Sequence, residues 1–223
     1  MRDWKTKAII LSRTDYGEAD RILNVLSEEG KVAVLAKGVR KAKSKLAGAI
    51  ELLSFSELTL HEGRGKMMTL TGARLQEYYG GLLGDLAAMK LAGEMLKEVN
   101  RRAESLHTDA FLYLLREALL NLEWAVKNQQ NQEVLRLWWR MRMLKLIGEE
   151  LNVRTDNLGQ PLVEGLQYEW SREEQSLVER EGGKIRSEHI KVLRLMSTAP
   201  ASTLYRLKGL NDLLPEIRLI IGT

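Results

Sequence analysis

The sequence predicts an α+β chain in two parts, an N-terminal five-stranded β-barrel followed by an α-helical domain, and three observations carry that prediction. Up to about residue 79 the apolar residues form short runs broken by glycine turns, and from residue 80 they recur at helical spacing. The basic excess sits in the first part: 14 basic against 10 acidic residues over 1–79, and 20 against 20 over 80–223. A chain of 223 residues with 44% hydrophobic content is long enough to bury a core in each part.

Five strands follow in order. Thr6 to Ser12, Arg21 to Leu26, Val32 to Ala36, Leu52 to Leu60 and Met67 to Leu75 are the β-rich runs. Ser27-Glu28-Glu29-Gly30 turns the second into the third, and Glu62-Gly63-Arg64-Gly65 predicts a hairpin between the fourth and fifth. The apolar phase of the fourth run changes between Leu53/Phe55 and Leu58/Leu60, as a bulge in a small closed barrel would require.

Helices follow. Leu82, Leu86, Met89, Gly93 and Leu96 share one helical face, and Phe111, Leu114, Leu115, Ala118, Leu119 and Leu122 share another. A third helix runs from about Asn131 to Leu151. Residues 152–186 read as an irregular, polar insertion with a hairpin around Tyr168-Glu169-Trp170, and a helix returns at Ser187 to Met196. Leu204 to Ile221 reads as two short helical pieces around Pro215. The expected domains are therefore 1–79 and 80–223.

Composition excludes several chemistries. Without a cysteine there is no disulfide, thiolate metal site or cysteine nucleophile. His61, His107 and His189 are far apart, with no i, i+4 pair to hold a metal on one helical face. Gly63-Arg64-Gly65-Lys66-Met67-Met68 lacks the third glycine of a dinucleotide loop and the Ser or Thr of a phosphate-binding loop. No nucleophile-elbow serine is present, and the acid pairs Glu149-Glu150 and Glu173-Glu174 diverge on a helix. The expectation is a protein that is not an enzyme and carries no cofactor. No apolar window reaches membrane-spanning length, so a cytoplasmic location without membrane association is expected.

The positive signal is the run Lys37-Gly38-Val39-Arg40-Lys41-Ala42-Lys43-Ser44-Lys45. From Lys31 to Ile50 there are six basic residues and no acid, an uncompensated field whose natural partner is phosphate. A merely solvated loop would look similar, but this one joins strands of a five-stranded barrel, where OB-folds bind oligonucleotides. Tyr16, in the turn Thr14-Asp15-Tyr16-Gly17 near Arg13 and Arg21, is the best stacking candidate, whereas Phe55 reads as core. Charge and position alone leave DNA, RNA and an acidic protein partner open, so an RNA-binding OB protein and a protein-interaction adaptor remain alternatives.

Three segments resemble bacterial RecO, a family of recombination mediators. They are Lys5-Thr6-Lys7-Ala8-Ile9-Ile10-Leu11, Asp15-Tyr16-Gly17-Glu18-Ala19-Asp20-Arg21, and Ala36-Lys37-Gly38-Val39-Arg40-Lys41 with Ser44-Lys45-Leu46-Ala47-Gly48. The resemblance implies an N-terminal OB-fold on a helical domain, nucleoid-associated and without enzymatic activity. It implies binding and annealing of single- and double-stranded DNA, partnership with RecR and with the C-terminal tail of single-stranded DNA-binding protein, and help in loading RecA. DNA contact then falls on Lys37, Arg40, Lys41, Lys43 and Lys45, extended by Arg13, Arg21, Arg64, Lys66 and Tyr16. Many family members carry four zinc-binding cysteines in the insertion. This chain has none, so no metal is expected, and Leu158, Leu162, Val163, Leu166, Tyr168, Trp170, Leu177 and Val178 are the candidates for packing it.

In the helical domain, Trp138-Trp139 with Arg136, Arg140, Arg142 and Lys145 reads first as an amphipathic helix with one tryptophan buried. A groove for an acidic peptide tail would need an apolar slot with a nearby guanidinium, for which Arg116, Arg136 and Arg140 are the candidates.

Overall fold

The computed structural model describes residues 3–62, 67–103 and 108–222. The first five strands are β1 (Asp3–Tyr16), β2 (Asp20–Ser27), β3 (Lys31–Ala36), β4 (Ser54–Glu62) and β5 (Met68–Tyr78). They form a closed barrel in the order β1-β2-β3-β5-β4, with β1 also paired to β4. Every pairing is antiparallel except β3 with β5, which are parallel through Val34/Met68 and Leu35/Thr69. This is the OB-fold that the sequence predicts. The expected Glu62-Gly63-Arg64-Gly65 hairpin lies outside the described residues.

The barrel core is Ala8, Ile10, Leu23, Val25, Val34, Ala36, Leu58, Leu60 and Leu70, with Val39 and Ile50 from the segment after β3 packed into it. Ile9 and Phe55, paired across β1 and β4 on the opposite pleat, are buried as well. Both faces of β1 are therefore apolar over residues 8–11, and helix α1 (Leu86–Arg102) packs against this strand. The β4 phase change is a pair of register shifts, at Phe55/Ser56 and Thr59/Leu60, with the extra residues, Gln76 and Thr71, carried by β5. A further shift at Ile10/Ser12 leaves Leu11 as the extra residue on β1.

Asp85 caps α1 by accepting from the Ala88 N–H at 2.9 Å, so the helix begins later than its apolar spacing implies. Its buried stripe is Ala88, Leu91, Ala92, Met95, Leu96 and Val99, and Leu86 from the expected face is exposed. The stripe foreseen for α2 (Thr108–Lys127) is buried throughout, from Phe111 to Leu122. The chain divides into two compact units, Met1–Val126 and Lys127–Thr223. That division falls well beyond the change of period at residue 80, because α1 and α2 cluster with the barrel.

In the second unit α3 (Gln132–Leu146) ends sooner than expected, since Gly148 adopts φ +80, a left-handed conformation that stops helices. Both tryptophans are buried: Trp138 donates Nε1–H to the Ala199 carbonyl at 2.9 Å, and Trp139 is 4% exposed. α3 packs against α4 (Ser187–Thr198) and α6 (Leu210–Ile221), with the one-turn α5 (Ala201–Leu204) between the last two. Pro215 does not break α6. The interruption falls earlier, between Leu204 and Leu210, and ends at Gly209 with φ +73, while α6 keeps an unbroken buried stripe of Leu210, Leu214, Ile217, Ile220 and Ile221.

The insertion carries a hairpin of β6 (Tyr168–Ser171) and β7 (Ser176–Glu179). Of its expected packing residues Tyr168 and Leu177 are buried, but Leu158, Val163 and Leu166 are exposed. Backbone hydrogen bonding compensates. Tyr168 exchanges two bonds with Ile185 at 2.8 and 2.9 Å, Asn157 N–H donates to Leu177 at 2.9 Å, and the Asp156 carboxylate accepts from Leu158 and Gln160.

Candidate nucleic-acid interface

The basic loop leaves the barrel at the end of β3, and the strand register places it. Asp15 on β1 pairs with Arg21 on β2, and Arg21 pairs with Ala36 on β3, so the β1–β2 turn and the loop starting at Lys37 emerge side by side. Gly38, at φ +65, lets the chain turn, and its N–H donates to Asp20 Oδ1 at 2.7 Å. Val39 then plugs into the barrel core at 2% exposure. The Arg40 N–H donates to the Ala19 carbonyl at 2.9 Å, while the Lys41 and Ser44 N–H groups continue the turns by donating to Gly38 and Lys41. The backbone is thus stitched inward, and Lys37, Arg40, Lys41, Lys43 and Lys45 are left on the exposed side.

The cations divide by partner. Among the described residues Lys37, Lys41, Lys43 and Lys45 make no ion pair. Arg13 pairs with Glu51, and Arg21 is held by both Asp15 Oδ1 and Glu51 Oε1 at 3.1 Å. Arg40 Nε lies 3.3 Å from Asp15 Oδ2, and its guanidinium also donates to the Gly17 carbonyl at 3.2 Å. Arg13, Glu51, Arg21, Asp15 and Arg40 therefore form one alternating chain of charges. Tyr16 is 54% exposed at the end of β1. Arg64 and Lys66 lie outside the described residues. Asp15 and Glu51 had no signal as site residues in the sequence, because Glu51 meets its arginines from 38 and 30 positions away.

The three arginines considered for a peptide tail are not equivalent. Arg116, on α2, forms a two-pronged pair with Glu77, with Nε to Oε2 at 2.9 Å, and its guanidinium carbon sits 4.8 Å from the centroid of Phe55. That bond holds the Glu77 carboxyl below its ordinary range, and burial together with Glu77 pushes the Tyr79 hydroxyl upward. Arg136 and Arg140 stand one turn apart on α3 in the other unit, Arg136 within 3.6 Å of Glu133. Arg140 and Leu144 line a groove of about 760 Å³ with Trp170, Arg172, Arg218 and Leu219, a mixed polar and apolar surface that also includes Glu149.

Among the described residues no three His, Asp or Glu side chains stand close enough together to hold a metal ion, and no helix is long and apolar enough to cross a membrane.

The barrel also matches a known family model. Residues 1–79 match the model described as recombination protein O N terminal. A DNA repair protein RecO from Heliobacterium modesticaldum is 33% identical over 165 residues, covering 73% of this chain and 58% of that protein. A DNA repair protein RecO from Dehalococcoides mccartyi is 30% identical over 228 residues, covering 98% of this chain and 88% of the relative. Its helical region as well as its barrel is included in that alignment. The chain belongs to the RecO family of DNA repair and recombination proteins.

Proposed function

We propose that this chain is a non-enzymatic DNA-binding recombination mediator. Its barrel, residues 1–79, tracks the phosphates of single- and double-stranded DNA, and the helical region that follows serves protein partners. One observation carries the reading: Lys37, Lys41, Lys43 and Lys45 project from one barrel loop with no ion pair among the described residues, beside Arg40 and Tyr16. Closely spaced cations displace condensed counterions from a nucleic-acid backbone without reading bases, which suits a protein that must act on any sequence. Screening phosphate repulsion on two strands at once also favours annealing of complementary strands. Tyr16 adds one stacking surface, so electrostatics dominates. Arg13 and Arg21 act behind this surface by bracing the loop, and Arg64 and Lys66 are further candidates for phosphate contact on their sequence alone.

Membership of the family supports the reading of its partners. RecR and the C-terminal tail of single-stranded DNA-binding protein bind this chain, which thereby assists RecA to load on coated single strands. The groove beside Arg140, with Arg136 nearby, brings guanidinium groups together with Leu144, Leu219 and Ile220, the kinds of group an acidic tail ending in apolar residues requires, with Glu149 also on its wall. Arg116, committed to Glu77, contributes least.

The test is fluorescence anisotropy of a labelled single-stranded DNA oligonucleotide across a salt series, with wild type and a K41A/K43A/K45A variant. The reading expects affinity that falls steeply with salt, and a slope shallower by about two in the variant, since each lost phosphate contact on a single strand removes roughly 0.7. Binding that is absent at low salt, or unchanged in the variant, would overturn it, and tighter binding to RNA of the same sequence would reassign the ligand.

A further inference from the structure

Among the described residues Asp15 is the one acid in ion-pair reach of a cation on the basic loop. Its two oxygens serve different arginines, Oδ1 to Arg21 at 3.1 Å and Oδ2 to Arg40 at 3.3 Å. The two arginines differ in how firmly they are held. Arg21 is 19% exposed and has a second carboxylate, Glu51, while Arg40 is 33% exposed and, among the described residues, has only the Gly17 carbonyl besides Asp15. Asp15 itself is 55% exposed, so water and solutes reach the Arg40 contact.

We infer that Asp15 is an internal stand-in for a backbone phosphate, occupying Arg40 in the unbound protein and yielding it when a nucleic acid arrives. The inference rests on the DNA-binding reading of the same loop. A carboxylate oxygen beside a guanidinium occupies a position that a phosphate oxygen can take. Arg21, itself anchored by Glu51, holds Asp15 in place, so the exchange at Arg40 leaves the carboxylate paired rather than stranded. The contact is a brake on affinity: part of each binding event is spent displacing Asp15, and the displaced carboxylate partly offsets the counterion release that Arg40 would give.

Glu18 provides the control. It is exposed on the same turn, carries the same charge and touches no cation among the described residues. The experiment measures binding of a labelled single-stranded DNA oligonucleotide across a salt series for wild type, D15N, E18Q, R40A and D15N/R40A. The inference expects D15N to bind about threefold tighter, the scale of one exposed ion pair, with a salt slope steeper by up to about 0.7. It expects less than half that gain in E18Q, and no gain from D15N in the R40A background. Equal effects of D15N and E18Q, weaker binding by D15N, or a gain that survives in R40A would overturn the inference while leaving DNA binding intact. Failure of wild type to bind at low salt would instead overturn the reading beneath it. Thermal melting of each variant separates loss of fold from loss of contact.

Discussion

Arg116 and Phe55 form a stacked pair across the first compact unit: the guanidinium carbon lies 4.8 Å from the ring centroid while the same group grips Glu77. Phe55 is buried at 2% exposure, so its ring gives the cation an apolar floor, and Glu77, hydrogen-bonded also by the Tyr79 hydroxyl at 2.7 Å, supplies the countercharge. One cation thereby joins α2 to the outer faces of β4 and β5.

Replacing Arg116 by Ala should cost about 1–2 kcal/mol, a charge-assisted pair discounted for the third of the side chain that stays in water. The Glu77 carboxyl is depressed by Arg116, so the pair stabilises the fold above the ordinary carboxylate pKa, and that contribution disappears as pH falls through the folded value. Urea midpoints measured from pH 7 down to pH 3 should fall less steeply in the variant. A parallel curve would show that the pair carries no linkage.

Gly183 packs where no side chain fits. A Cβ there would stand 2.5 Å from the Tyr168 carbonyl oxygen, at the point where Tyr168 and Ile185 exchange their bonds. Gly183→Ala should therefore cost about 1–3 kcal/mol by forcing the backbone apart. Gly182 is the comparison, with φ +78 and open space around it, so Gly182→Ala pays only conformational strain of about 1 kcal/mol. Chemical denaturation of both variants checks the order, and a larger loss at Gly182 would refute the packing argument.

Local patterns made most of the architecture legible. β-rich apolar runs and the glycine turns between them located all five strands, and the Leu53/Phe55 phase change marked a place where the β4–β5 register shifts. The misplaced features share another cause. Leu86 fell on a periodic face, yet Asp85 caps the helix there and turns it outward, and Pro215 looked like a break although the stripe from Leu210 to Ile221 gains more by staying helical. Within the candidate interface the loop cations were readable because they are consecutive. The carboxylates that divide them into paired and unpaired were not, since Glu51 reaches Arg13 and Arg21 only once three strands are in register.

His189 predicts a pH dependence in the second unit. It is 6% exposed near the start of α4, and its Nδ1 accepts the Arg186 N–H at 3.1 Å, which requires the neutral ring. Burial lowers its pKa from the ordinary histidine value, with the Glu216 and Glu188 charges opposing and the Arg186 charge reinforcing that shift. The unfolded chain then binds a proton the folded one resists, so stability is complete above about pH 6.5 and declines as pH falls below it. His189→Gln should flatten the urea midpoint between pH 7.5 and 5.5, and an unchanged slope would place the titration elsewhere.

Arg21 and Lys41 should separate bracing from binding. Arg21 is half-buried and held by two carboxylates, so Arg21→Ala leaves Asp15 to Arg40 and Glu51 to Arg13 and should lower stability by about 1 kcal/mol. Its phosphate-dependent salt slope should barely move, because its fork is already spent. Lys41 is exposed with no ion pair among the described residues, so Lys41→Ala should leave stability within about 0.5 kcal/mol while making the slope shallower by roughly 0.7. Denaturation and salt-dependent anisotropy on the same two variants read both quantities. A shallower slope with unaltered stability in Arg21→Ala would move Arg21 from the brace to the binding surface, and would mean that phosphate draws the arginine out from between Asp15 and Glu51.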